Sequence, residues 1–139
     1  MYHTSDLTVA NCIISSNTAI DEGGGIDQCI RLTLSNCIIS GNTAIEDDGG
    51  GLSHCEGSIT NCTISGNTAG YWGGGGGLYN CEGPITNCTI SGNTAGYFGG
   101  GLNDYDGPIT NCTISGNTAK YGGGLDDCEG SINQLYHLG

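Results

Sequence analysis

Nine cysteines, three histidines and fourteen acidic residues are the groups in this chain with the means to do chemistry. The cysteines fall into two series. Cys12, Cys37, Cys62, Cys88 and Cys112 each follow an asparagine, at intervals of 25, 25, 26 and 24 residues. Cys29, Cys55, Cys81 and Cys128 trail them, with Tyr105 in the remaining place. The CxxC spacing that zinc sites favour is absent, and His3, His54 and His137 read as unrelated by the repeat, so no metal is expected at the thiols. Stacked copies would bring cysteine Cα atoms within disulfide range. Their number is odd, however, and in-register inward side chains point poorly for the bond. The favoured reading is a small apolar filler in a narrow core.

A second set of candidates is a carboxylate at one place in successive repeats: Glu56, Glu82, Asp106 and Glu129, with Arg31 at the matching place in the first. Like charges brought close raise one another's pKa unless cations or solvent screen them. Hard oxygen ligands are what Ca²⁺ takes, so these four are the candidate metal ligands and Ca²⁺ the one cofactor left open. The Asp-spaced nonapeptide of calcium β-rolls is absent, and solvated Glu side chains are the default. Catalysis has little support. Glycosidases need two carboxylates at a set separation, one of them tuned by its surroundings, whereas these are repeated rather than singular. Arg31 and Lys120 are far apart as bases, and no nucleophile pairs with a positioned His. No catalytic residue is expected.

The third set is aromatic. Between each Ala and the following glycine run lies a loop that varies: Ile20-Asp-Glu, Ile45-Glu-Asp-Asp, Tyr71-Trp72, Tyr97-Phe98 and Lys120-Tyr121. Stacking the repeats would gather Tyr71, Trp72, Tyr97, Phe98 and Tyr121 into one strip beside an acidic patch. Such a strip is a platform for sugar or a contact for another protein; the competing reading is loops tucked against their neighbours. A fourth, weaker set is the outward pair Thr63/Ser65, Thr89/Ser91 and Thr113/Ser115, preceded by Ile13/Ser15 and Ile38/Ser40. A regular Thr array is what an ice-binding face uses, but Thr is also a good strand residue.

What must position these groups is the repeat itself. Ile59-Thr-Asn-Cys62-Thr-Ile64-Ser-Gly-Asn67-Thr-Ala69 returns unchanged at 85–95 and 109–119, and in looser form at 9–19 and 34–44. Each repeat has three apolar clusters: Cys62 with Ile64, then Leu78, then Cys81 with Ile85. Short alternating segments between Asn and Gly breakers read as three short strands. Steps of three residues, Ile59 to Cys62 and Leu78 to Cys81, require bends at Asn61 and Asn80, where Asn tolerates the left-handed backbone. Asn17, Asn42, Asn67, Asn93 and Asn117 are expected to form a ladder along a turn. The Asn-Cys-Thr sequons at Asn61, Asn87 and Asn111 formally fit glycosylation but fall on the bends, where Asn is scaffold. A leucine-rich repeat shares the spacing and the period, yet it needs a helix or tight turn where this chain has Gly70 to Gly77, and each Gly there costs a helix about 1 kcal/mol. The expected fold is therefore all-β: a right-handed single-stranded parallel β-helix of about five coils of about 25 residues. One domain spans 1–139, with repeats at about 9–33, 34–58, 59–84, 85–108 and 109–131, and 132–139 as a partial coil or cap.

Ile64-Ser-Gly-Asn67 followed by Gly75-Gly-Gly-Leu78 resembles the paired FxxN and GGAI signatures of polymorphic outer membrane protein repeats. These belong with the pectate-lyase-like, right-handed parallel β-helix surface proteins. The match runs from about Val9 to Ile132 and departs in having Ile for Phe and Gly for Ala in every copy. The resemblance implies a non-catalytic structural or binding module of a secreted or surface protein, engaging carbohydrate or another protein. The alternative it carries is a fragment of a polysaccharide lyase or hydrolase.

A net charge of −12 argues against nucleic acid, which needs Lys and Arg on its phosphates, and against anionic membrane surfaces. No apolar run approaches the roughly 18 residues of a membrane span. Met1-Tyr2-His3-Thr4 is not a basic-then-apolar leader, so the chain is expected to be part of a larger exported protein. Its open coils would expose strand edges, which makes end-to-end pairing of copies an expectation.

Overall fold

Residues 1–136 are described by the structure, a computed structural model; the expected cap residues His137 and Leu138 lie outside them. The chain winds into a parallel β-solenoid of stacked coils. One face is a ladder of six short strands: Tyr2–Ser5, Ile26–Ile30, Leu52–Ser53, Leu78–Tyr79, Leu102–Tyr105 and Leu125–Cys128. A ten-stranded sheet forms two further faces, carrying segments such as Leu32–Ser35 and Gly57–Thr60 on one side of the bend and Ile38–Ser40 and Thr63–Ser65 on the other. Ile109–Ser115 runs unbroken across both. All pairings are parallel and in repeat register: Ile59 lies beside Leu34 and Ile85, and Ile64 beside Ile39 and Ile90. No helix of the described residues is long and apolar enough to cross a membrane.

Period two explains the interior. Within Thr63–Ser65 the pattern is half-buried, buried, half-buried, and Ile64 is fully enclosed. Ile39, Ile90 and Ile114 continue its column, Leu52, Leu78 and Leu102 make a second, and Leu34, Ile59, Ile85 and Ile109 a third. The bends fall where the three-residue steps require them. Asn61 and Asn80 have φ of 53° and 43°, and Asn11, Asn36, Asn87 and Asn111 repeat the first. The sequon asparagines are thus held in the left-handed backbone of the scaffold, the conformation Asn adopts most readily among side-chain-bearing residues.

The asparagine ladder is complete. Asn17 Nδ2 donates to Asn42 Oδ1 at 2.9 Å, Asn42 to Asn67 at 3.0 Å, Asn67 to Asn93 at 2.9 Å, and Asn93 to Asn117 at 3.0 Å. Asn42, Asn67, Asn93 and Asn117 also donate to backbone carbonyls, so a polar column runs through the stack with its partners supplied. The cysteines are all free. Cys37, Cys62, Cys88 and Cys112 are buried, each thiol donating to the carbonyl two residues back, as Cys62 does to Thr60 at 3.2 Å. Thiols serving as filler with a local acceptor need no bond across coils. Tyr105, in the cysteine rank, is enclosed too, and its hydroxyl donates to the Gly83 carbonyl.

The structure adds one strand to the sequence reading and corrects one expectation. Ahead of the first expected repeat, Tyr2–Ser5 pairs with Ile26–Ile30, Thr4 beside Cys29, with Thr4 Oγ1 3.0 Å from the Cys29 sulfur. A threonine in a cysteine rank carries no apolar signal, so the pattern hid it. His3 and His54 are not unrelated by the repeat, as the sequence reading had them. His3, Gln28, His54, Asn80, Asp104 and Asp127 share one bend, with φ between 43° and 54°. Register places them there, Tyr2 and Thr4 pairing with Asp27 and Cys29, and Asp27 with Ser53. The bend demands a left-handed backbone and tolerates several polar residues, so residue identity drifts while geometry stays.

Candidate functional site

The variable loops close each coil and lie against their neighbours. Gly74, Phe98 and Tyr121 are bridged as parallel backbone, Tyr97 N–H donates to Gly73 O at 3.1 Å, and Tyr121 N–H to Tyr97 O at 2.9 Å. Glycine permits the return path. Gly49 has φ of +66°, and a Cβ there would stand 2.6 Å from both Leu52 O and Ser53 Cβ. The loop therefore passes directly over the residue that follows the Gly-Gly-Gly-Leu sequence.

On this frame the five aromatic residues form a continuous strip. Ring centroids are 5.0 Å apart for Tyr71 and Trp72, 5.5 Å for Trp72 and Tyr97, 4.6 Å for Tyr97 and Phe98, and 5.3 Å for Tyr97 and Tyr121. Phe98 and Tyr121 stack at 5.7 Å with 28° between their planes. Lys120 Nζ sits 4.4 Å from the Tyr97 centroid and 5.2 Å from that of Tyr121, a cation–π arrangement that holds these rings in place. The rings are not tucked away: Tyr71 is 75% and Trp72 69% exposed, and Phe98 and Tyr121 are exposed as well. Tyr97 is half-buried at the centre.

Toward the first coils the same loop rank turns acidic. Glu22 Oε2 lies 3.0 Å from His54 Nδ1, which also meets Ser53 Oγ at 2.9 Å, while the His54 ring stands edge-on to Tyr79. Asp27 is beneath the loop, 6% exposed, and its Oδ1 has no hydrogen-bond partner. Burial first, then the charge of Glu22, pushes its carboxyl above the usual carboxylate range. Asp48 accepts from Gly74 N–H at 2.5 Å, and burial raises it to about 6, with Asp47 and Glu22 adding. Two groups of possible ligand atoms lie within 4.8 Å of one another: Glu22, Asp27 and His54, and Glu22, Asp47 and Asp48.

The column read from the sequence is built differently. Glu56, Glu82, Asp106 and Glu129 are all exposed. Glu56 and Glu82 are bridged in register, and Tyr105 pairs with Cys128, which sets Asp106 beside Glu129. Arg31 in this rank turns to Asp6 instead, its Nε and Nη2 donating at 2.6 and 2.7 Å. The carboxylates that converge are Glu22, Asp47 and Asp48 of the loops and Asp27 of the strand beneath them, and sequence reasoning passed them over as a group. The signal available was the polar residue directly after Gly-Gly-Gly-Ile, Asp27, which a loop glycine must cross. The Thr/Ser pairs stand in register on their face, flanked by exposed Ile13 and Ile38. Compared with known proteins, the chain matches no family model, no curated protein and no solved structure.

Proposed function

We propose that the solenoid is a non-catalytic binding module whose aromatic strip docks an extended neutral carbohydrate. The observation that carries this reading is the uncovered state of Tyr71 and Trp72 in a chain of rings that touch one another across successive coils. Exposed aromatic surface held rigid and in line costs little entropy when a ligand lies on it, and the C–H faces of a sugar pack on ring faces. The rungs repeat at about 4.8 Å, close to the length of one sugar unit, so several residues of a polymer can follow the stack.

Charge selects among sugars. With a net charge of −12 and acidic loops flanking the strip, a polyanionic glycan meets repulsion, which a neutral one does not. The resemblance of the Ile64–Asn67 and Gly75–Leu78 sequences to polymorphic outer membrane protein repeats supports a place on a secreted or surface protein. It contributes nothing to the choice of ligand. A glycan array probed with the protein and with Tyr97→Ala and Phe98→Ala tests the reading. Binding confined to neutral polysaccharides and lost in both variants supports it. Binding unaltered by either variant, or capture of a protein ligand alone on the same strip, refutes it.

A further inference from the structure

We propose that Glu22, Asp27 and His54 form a site for a first-row divalent cation of borderline softness, Zn²⁺ being the type. Carboxylate oxygen and imidazole nitrogen together are the donors such ions take. The three ligand atoms lie within 4.8 Å of one another, two of them at 3.0 Å. A shift of about 1 Å brings all three to the roughly 2.0–2.2 Å of metal bonds. An open cleft of about 470 Å³, lined by Tyr2, Asp21, Glu22, Asp27, Gln28 and Asp47 among others, opens on two of the three, Glu22 and Asp27.

An acidic cluster alone would not support this. The second observation is Asp27. Glu22 Oε2 and His54 Nδ1 are partners to each other at 3.0 Å, but Asp27 Oδ1 is buried with no donor. A buried carboxylate oxygen requires a donor or a cation, since leaving one unpaired is costly. The chain has two Lys/Arg residues to supply a charge, and both are engaged elsewhere: Arg31 on Asp6 and Lys120 over Tyr97. The Met1 ammonium is near but donates to the Gly25 carbonyl at 3.0 Å. With Asp47 and Asp48 adjoining, the locus carries four carboxylates and no fixed cation, and an external one completes it.

The repeat supplies its own controls. Gln28 occupies the bend of His54 one coil earlier with φ of 51°, so His54→Gln keeps the backbone. Asn103 occupies the rank of Asp27 on the same face, so Asp27→Asn fits. Titration calorimetry with ZnCl₂ is done on EDTA-treated protein carrying Cys12→Ser, because the exposed Cys12 thiol is itself a zinc ligand. One equivalent should bind, with affinity falling about tenfold or more in Asp27→Asn and in His54→Gln, and Glu82→Gln unchanged. No uptake of zinc would overturn the proposal. So would uptake indifferent to both variants, or uptake abolished by Asp47→Asn but not by His54→Gln, which would assign the cation to the all-oxygen group.

Discussion

Replacing Asn67 with Ala should be among the most damaging single changes in the molecule. The side chain is fully enclosed and makes four hydrogen bonds. Its Nδ2 donates to Ile39 O at 3.0 Å and Asn93 Oδ1 at 2.9 Å, and its Oδ1 accepts from Asn42 N and Asn42 Nδ2, both at 3.0 Å. Alanine strands the Asn42 N–H inside the stack, at about 1–3 kcal/mol, and forfeits three further bonds worth about 1 kcal/mol each. Asn42 Nδ2 keeps Ile14 O and Asn93 Oδ1 keeps Asn67 N–H, which limits the damage. The sum is about 4–6 kcal/mol, a large part of a typical stability of about 5–15 kcal/mol. Asn61→Ala is the contrast. Asn61 is exposed, its contact to Asn36 Oδ1 is 3.3 Å, and the change chiefly costs the left-handed backbone, about 1–2 kcal/mol. Urea unfolding followed by circular dichroism, at equal slope, measures both. A cost below about 1 kcal/mol for Asn67→Ala would show that the column contributes shape but not stability.

Two further predictions concern titratable groups. Cys12 is exposed whereas the other cysteines are buried or half-buried, and burial pushes the Cys128 thiol up to about 11. An aromatic disulfide reagent should therefore modify Cys12 rapidly in the folded protein and the rest only on unfolding; rapid release of several equivalents would contradict the filler reading. Asp48 titrates near 6 when folded, above its ordinary 3.8. The folded state then holds the extra proton, so stability is greatest at low pH and is lost as pH rises from about 4 through about 6. In EDTA, the melting temperature of Asp48→Asn should rise relative to the parent across that window, since the amide oxygen can still accept from Gly74. A parent as stable as the variant at pH 7.5 would count against a buried charge there.

How far the sequence disclosed this molecule depended on repetition. Ile64, Asn67 and Leu78 recur at near-constant offsets, and identical residues at a constant offset stack, so the coil, its columns and its asparagine ladder were legible. The bend at Asn80 was legible from a three-residue step. That His54 occupies the same bend was not, because the conformation is kept while the side chain changes. Thr4 hid in the cysteine rank for the related reason that it is polar. The convergence of Glu22, Asp27 and His54 depends on where a non-repeating loop passes over the stack, and periodicity says nothing about a loop path. The aromatic residues were named correctly as a strip, yet whether Trp72 was tucked or open is a matter of loop height above the coil, which spacing does not encode.

Trp72 is the single tryptophan of the chain and is 69% exposed in the strip, between Tyr71 and Tyr97, so its emission reports on the proposed docking face. Titrating the protein with neutral oligosaccharides of increasing length should shift that emission to the blue, with affinity rising with chain length and little effect of salt, and Phe98→Ala should abolish the response. An emission that stays unchanged through millimolar neutral oligosaccharide, or that responds equally in Phe98→Ala, would contradict the assignment of this face to carbohydrate.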